Sequence, residues 1–327
     1  MGYTTDRPIF LIGAPKSGTT VVFEALSFHR DLAWLPHFSN RMADPPLDLL
    51  AGALRWPLSG LGRGVKKQRQ GGISHLNRLR PRPDECYPVW ERVFGSRFRR
   101  DYLIGQRATP REAALGRALI SRQVWIQNRR RFTAKLTGPT RIEYLSSVFP
   151  DALFVHIIRD GRAVAGSLIE TPFWIRGGGL ERAWWQNGLP EGWEAEWERF
   201  DRDPAVLAAI QWRRIIEVAR RESQTLPPER YCELRYEEFA VDPAGALEAL
   251  QDFCGLPRCA RVARALARGQ RIESHNERCL RRLSPGQRPA VERTLARTLW
   301  ALGYKSAPTA RGPSTAPPRV AVALSAG

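Results

Sequence analysis

The chain is 327 residues long and 43% hydrophobic, enough for one large α/β domain with a substantial core, which excludes an intrinsically disordered protein. No run approaches the roughly 18 apolar residues that span a bilayer, and a strand-like apolar segment already opens at Pro8, which leaves no room for a secretory signal, so a cytoplasmic protein is expected. The formal net charge of +18, from 51 Lys and Arg against 33 Asp and Glu, draws nucleotides, acidic polymers and membrane surfaces alike without choosing among them.

In chain order, "RPIFLIGAP" predicts a short strand, because the apolar run Ile9–Ile12 ends at glycine and proline. "SGTTVVFEALSFH" predicts a helix, with Val22, Ala25, Leu26 and His29 at helical spacing. The stretch between them, Gly13-Ala14-Pro15-Lys16-Ser17-Gly18-Thr19-Thr20, therefore joins a strand to a helix, the context in which backbone N–H groups and a helix N-terminus converge on an anion. Residues 44–111 are rich in proline, glycine and arginine with weak periodicity. They are expected to form short helices and loops, an insertion that either shapes an acceptor pocket or covers the sheet.

"REAALGRALISRQVWIQNRRRF" predicts a helix, "TAKLTG" a strand end, and "PTRIEYLSSVFP" a helix with Ile142, Leu145 and Val148 on one face. "DALFVHIIRDGRAVAGSLI" predicts a second strand-loop-helix unit. Its apolar half, Ala152–Ile158, suits a parallel strand buried on both faces, and Arg159 and Asp160 stand at the turn. "AVLAAIQWRRIIEVARRE" is an amphipathic helix, "RYCELRYEEF" a strand, and "PAGALEALQDFCGL" a helix closed by Gly255. Alternating strands and helices imply an α/β fold: a single three-layer domain over 1–305, with a central parallel sheet flanked by helices and P-loop-like strand-loop-helix motifs. The remainder, 306–327, is rich in Pro, Ala, Ser and Thr and is expected to be a disordered tail.

The glycine loop departs from a nucleoside-triphosphate P-loop, in which lysine directly follows the second glycine. Here Thr19 takes that place and Lys16 stands two residues before Gly18. With "APKSGTT" and "IIRDGRAVAGS" together, the chain resembles the sulfotransferases that use 3'-phosphoadenosine 5'-phosphosulfate (PAPS), over most of residues 8–304. In that family the first motif is the loop for the 5'-phosphosulfate. The second is the site for the 3'-phosphate, bound by an arginine at the strand end and a serine eight residues later. Arg159 and Ser167 keep this separation. "RYEEFAVDPAGALEALQDFCGL" and the "ALGY" ending at Tyr304 also resemble family segments.

The resemblance implies that Lys16, Ser17, Gly18, Thr19 and Thr20 hold the 5' end of PAPS, that Arg159 and Ser167 hold the 3' end, and that 3'-phosphoadenosine 5'-phosphate (PAP) is released. In sulfuryl transfer the migrating group is nearly neutral and negative charge gathers on the leaving 5'-phosphate, so a lysine inside the loop stabilises the state that matters. The clamp of metal ions used in phosphoryl transfer is then not required.

A base must take the acceptor proton, and family members place it differently. In the tyrosylprotein branch a glutamate follows the helix after the first loop, and His37 in "WLPHFSN" stands at the matching position. In the cytosolic small-molecule branch a histidine follows a lysine before the second motif; here Lys135 is kept, but Thr137 stands where the histidine would fall. His37 is accordingly the first candidate for the base and Glu85 in "RPDECYPVW" the second, with Lys135 assisting at the sulfuryl oxygens. Each also has an ordinary structural role to fall back on: a loop histidine bonded to backbone, a helix-end charge, a solvated lysine. Trp34, Trp56 and Trp212 are candidate stackers for adenine or acceptor, although Trp212, beside Ile215 and Ile216 on an amphipathic helix, suits the core.

The acceptor expected is a hydroxyl or amine on a carbohydrate, lipid or other small molecule. Two other readings compete. A P-loop kinase or NTPase would use Ser17 or Thr19 with Asp160 as a magnesium partner, and a non-catalytic protein would bind anionic polymer or membrane through charge alone. The basic runs "VKKQRQ", "RLRPRP" and "NRRRF" carry no base-stacking aromatic repeat, so nucleic acid is not the expected partner, while peripheral membrane contact stays open. The five cysteines, odd in number and without CxxC spacing, suggest buried thiols rather than a disulfide framework or a zinc site. The sequence does not set the oligomeric state.

Overall fold

A computed structural model describes residues 6–40, 82–267, 272 and 274–304. Five parallel strands form one sheet in the order β2-β3-β1-β4-β5: β1 (Ile9–Gly13), β2 (Leu32–Ala33), β3 (Arg131–Thr137), β4 (Leu153–Ile158) and β5 (Tyr231–Arg235). Helix α1 (Thr19–Leu26) follows β1. Helices α2 (Tyr87–Phe94), α3 (Arg97–Arg100) and α4 (Pro110–Ile126) precede β3, and α5 (Ile142–Val148) leads into β4. Between β4 and β5 lie α6 (Gly161–Leu168), α7 (Pro172–Arg176), α8 (Trp193–Glu198) and α9 (Pro204–Ser223). After β5 come α10 (Tyr236–Val241), α11 (Pro243–Phe253), α12 (Ala260–Ala267), α13 (Asn276–Leu280) and α14 (Gln287–Ala301).

The sheet is covered on both faces, which is why β1 is apolar throughout and β4 is apolar but for one histidine. Alternate residues of a strand point to opposite sides, and Phe10, Ile12, Leu136 and Phe154 enter a cluster with α2, α4 and α5. Ile9, Leu11, Val155 and Ile157 enter another with α1 and α11. Lys135, paired in register with Leu11, thus lies on the α1 face. The chain leaves β1 for the outer strand β2, returns through β3, and then crosses to β4 on the other side of β1. This reversal opens a crevice beyond the carboxyl ends of β1 and its neighbours, where ligands of open parallel sheets sit.

One local reading is corrected and two elements went unread. The strand predicted over "RYCELRYEEF" ends at Arg235, and Tyr236 begins a helix with Glu237 and Glu238 in its first turn. β2 is two residues long, too short for any periodicity to reveal. α14 went unread because its apolar positions are spread among arginines and threonines. The first part of the expected 44–111 insertion and the tail at 306–327 lie outside the described residues; within 82–111 the chain forms α2, α3 and the start of α4. All five cysteines are buried and none is in a disulfide.

β4 carries a wholly buried histidine. Tyr231 Oη donates to Glu233 Oε1 at 2.9 Å and lies 2.7 Å from His156 Nδ1, so the phenol oxygen accepts from Nδ1–H. Burial pushes the His156 pKa down to about 4, whereas an unfolded histidine titrates near 6.5. A depressed folded value means that this stabilisation is whole above about pH 6.5 and is lost as pH falls toward about 4, by of order 3 kcal/mol. Urea unfolding of the wild type is therefore expected to weaken between about pH 7 and about pH 4.5, and less so in His156→Leu. An equal pH slope in the variant would remove His156 as the cause.

Candidate active site

The β1–α1 loop turns on two glycines that no other residue replaces. Gly13 has φ 147° and Gly18 has φ 86°. A Cβ on Gly13 would strike the Ile157 carbonyl, and one on Gly18 would strike the Tyr236 ring. Lys16 also takes the left-handed region, with φ 70°, which costs a non-glycine residue about 1–3 kcal/mol. The turn is closed by Ser17 N donating to the Ala14 carbonyl at 3.2 Å. Gly18 then stands at the N-cap of α1 with no side chain capping it, so the first amides of the helix face outward as donors. Ser17 is fully buried and its hydroxyl has no hydrogen-bond partner. A buried hydroxyl without a partner beside uncapped amides fits an anionic group such as the donor's 5'-phosphate.

Arg159, just beyond β4, joins the second motif to this loop. Its Nη1 donates to the Lys16 carbonyl at 2.7 Å and its Nε to Asn276 Oδ1 at 2.8 Å, while Nη2 lies 3.5 Å from Cys279 Sγ. The guanidinium also stacks over the Tyr236 ring, 4.9 Å from its centroid. Ser167 lies on α6, and its carbonyl accepts from Thr171 Oγ1. Arg159 and Ser167 are each 6% exposed, so the pair sits in a recess rather than on open surface.

Asn276 passes the connection on. Its amide donates to Glu237 Oε1 at 2.7 Å, and Tyr304 Oη donates to Glu237 Oε2 at 2.8 Å. Burial raises the Tyr304 phenol far above its ordinary pKa, so it stays a donor throughout the physiological range. Tyr236, Glu237 and Tyr304 lie in "RYEEF" and "ALGY", segments noticed in the sequence without a role. Asn276 and Cys279 carried no signal there.

A third group forms where β3 ends. Lys135 Nζ donates to Thr20 Oγ1 at 2.8 Å and pairs with Glu85 Oε1 at 3.1 Å, and Thr137 Oγ1 donates to the same carboxylate oxygen at 2.7 Å. Tyr87 Oη donates to the Thr137 carbonyl, holding α2 against the strand. The carboxylate of Glu85 thus reaches Thr137, the position where the cytosolic branch carries histidine, and is tied through Lys135 to the first turn of α1. His37 lies next to this group in sequence pairing: its N–H donates to the Arg82 carbonyl and Asp84 N–H to the Leu35 carbonyl. Its Nδ1 accepts from Arg82 N–H at 3.3 Å, which puts the ring proton of the neutral side chain on Nε2.

Other sequence candidates take structural places. Trp212 is fully buried against Gly161, Trp34 is buried with its Nε1 donating to the Ser27 carbonyl, and Trp56 lies outside the described residues. Asp160 caps α6 through Arg162 N–H and forms a two-pronged pair with the Arg162 guanidinium at 2.7 to 3.2 Å, which occupies the carboxylate that a magnesium site would need. Among the described residues no group of three or more His, Cys, Asp or Glu side chains could hold a metal ion. No helix among them is long and apolar enough to cross a membrane.

A family model described as the sulfotransferase family matches residues 8–260. The chain belongs to the sulfotransferase family. Among curated relatives, the omega-hydroxy-beta-dihydromenaquinone-9 sulfotransferases Stf3 of Mycobacterium bovis and Mycobacterium tuberculosis are each 30% identical over 266 residues, covering 77% of this chain. This sulfotransferase-family chain spans 63% of the length of those relatives. The crystal structure of sulfotransferase STF9 from Mycobacterium avium superposes with a TM-score of 0.54 at 17% identity, over 92% of this chain and 78% of that one. Sulfotransferase STF1 from Mycobacterium tuberculosis gives 0.52 at 15% identity, over 86% and 77%. The fold is therefore that of solved sulfotransferases.

Proposed function

We propose that the chain transfers a sulfuryl group from PAPS to a hydroxyl on a lipid-like acceptor. The observation that carries this reading is the bond from Arg159 to the Lys16 carbonyl, which makes one cradle of two anion motifs at neighbouring strand ends. Two anion motifs joined in this way suit a nucleotide with phosphates at both the 3' and 5' positions. The choice of a lipid-like hydroxyl draws on the name of the Stf3 relatives, which specifies an omega-hydroxy dihydromenaquinone. The segment 82–111, which carries Glu85, would then border the acceptor.

PAPS supplies an activated sulfuryl group: its S–O bond to the 5'-phosphate breaks as the acceptor oxygen bonds to sulfur, and the acceptor proton goes to a base. Ser17, Gly18, Thr19 and Thr20 hold the 5'-phosphate through backbone amides and hydroxyls. Lys16 meets the charge that gathers on the leaving phosphate. Arg159 and Ser167 hold the 3'-phosphate. Glu85 takes the acceptor proton, oriented by Thr137 and Lys135, and Lys135 stands between the base and the loop, where sulfuryl oxygens would pass. His37, with Nδ1 accepting a backbone amide, is the second choice, which reverses the order drawn from the sequence.

The test is thermal unfolding with PAP, compared with AMP and with ATP plus magnesium. A ligand at about 100 times its dissociation constant adds about 2.7 kcal/mol to folding stability, so PAP is expected to raise the midpoint clearly and AMP much less. Stabilisation by ATP plus magnesium alone would overturn the sulfotransferase reading in favour of a kinase or NTPase.

A further inference from the structure

Arg159 is held from outside the two motifs, by a chain of polar groups that ends in a carboxylate. β5 pairs with β4 in register up to Arg235 opposite Ile158, so the first turn of α10 emerges beside the residue that follows β4. Glu237 stands in that turn. Its Oε1 accepts from the Asp160 backbone N–H at 3.1 Å and from Asn276 Nδ2 at 2.7 Å, and its Oε2 accepts from Tyr304 Oη at 2.8 Å. Asn276 Oδ1 in turn accepts from Arg159 Nε at 2.8 Å. Glu237 thus reaches Arg159 by two routes, through the side chain of Asn276 and through the backbone of the next residue.

The direction of these bonds is unique. A guanidinium only donates and a carboxylate only accepts, so the Asn276 amide between them has one orientation, oxygen toward Arg159 and nitrogen toward Glu237. Tyr304 fixes the carboxylate from the far side. Its backbone N–H donates to the Leu299 carbonyl at 2.9 Å, the Arg235 guanidinium lies over its ring at 4.2 Å from the centroid, and burial raises its pKa so that it remains a donor. An arginine side chain ordinarily loses rotamer freedom when a ligand orders it. Here Nε is committed to Asn276 and Nη1 to the Lys16 carbonyl, so the plane of the guanidinium is set in advance, and the negative end of the chain strengthens the bonds along it.

We infer that Glu237 is the positioning residue for bisphosphate recognition: through Asn276 and the Asp160 amide it aims Arg159 at the 3'-phosphate of the donor, with Tyr304 holding the carboxylate in place. The inference rests on the donor reading proposed above. It adds to that reading a set of residues, outside both anion motifs, on which the preference for a 3'-phosphate depends. A carboxylate near a phosphate site repels the ligand, so positioning and plain electrostatics give opposite signs when the charge is removed.

The test is calorimetric titration of PAP and of AMP into the full chain and its variants. Glu237→Gln and Asn276→Ala are each expected to weaken PAP binding about tenfold or more, and Tyr304→Phe, one step further from the arginine, about threefold, while AMP changes by less than about threefold. The deciding comparison is Asn276→Ala made in wild type and made in Arg159→Ala. Once the arginine is gone, losing Asn276 is expected to cost PAP binding nothing further, whereas a general loosening of α13 costs the same in both backgrounds. Wild type that binds AMP as tightly as PAP, or PAP binding untouched by Arg159→Ala, overturns the donor reading and this inference with it. Where the PAP preference does depend on Arg159, three results overturn this inference alone: a preference left intact in Glu237→Gln and Asn276→Ala, tighter PAP binding in Glu237→Gln, or equal losses from Asn276→Ala in the two backgrounds.

Discussion

Replacing Glu85 with glutamine is expected to lower turnover by roughly 100- to 10,000-fold, the range lost when a positioned general base is removed, while PAP binds as before. Glutamine keeps the size of the side chain and can still accept from Thr137 and Lys135, so the geometry at the end of β3 survives and only the ability to take a proton is lost. The measurement is steady-state turnover with a hydroxyl acceptor alongside calorimetric titration of PAP. His37→Ala is the companion variant. Near wild-type turnover in Glu85→Gln together with a comparable collapse in His37→Ala would hand the role to the histidine, whose Nδ1 would then have to release the Arg82 amide it accepts. A parallel fall in PAP affinity in Glu85→Gln would instead place the glutamate in donor binding.

Arg159→Ala is expected to weaken PAP binding by roughly 30-fold to a few thousand-fold, corresponding to about 2–5 kcal/mol for truncating one side of a buried, charged hydrogen-bonded pair. Two losses add here. The charge proposed for the 3'-phosphate goes, and so does the donor that fixes the Lys16 carbonyl. AMP, which lacks the 3'-phosphate, should be affected far less than PAP, and that difference separates direct contact from a general loosening of the loop. Arg159→Lys keeps the charge but cannot reach the Lys16 carbonyl, Asn276 and a phosphate at once, and an intermediate affinity is expected. PAP binding equal to wild type in both variants would sink the assignment.

The parts of the fold that could be read in the sequence were those where one local signal sufficed. The apolar runs of β1 and β4 ended at sharp loops, so both strand-loop-helix units could be read from residues close in the chain. The meeting of Glu85 with Thr137 and Lys135 could not: it depends on α2 and β3 being brought together by the sheet order, with about fifty residues between the partners. The same holds for Asn276, which stands in a five-residue helix with no periodicity and touches Arg159 only because α13 packs against α6. The strand read over "RYCELRYEEF" included Tyr236, but the strand ends at Arg235 and the following acidic pair favours a helix start, which puts the tyrosine ring under Gly18.

The hydrogen bond between Arg159 and the Lys16 carbonyl also bears on how the two ends of a donor communicate. The loop residue it fixes is in a conformation that a lysine does not prefer, so the posture of the loop and the posture of the arginine are a single state rather than two. On the proposed assignments, whatever favours that state from the 3' side would raise affinity on the 5' side, and thermodynamic reciprocity requires the factor to be the same in the opposite direction. A mononucleotide with a phosphate at one end alone gains from only half of this arrangement. Selection of the bisphosphate from a cell full of 5'-nucleotides would then be a property of the connection, not of either pocket.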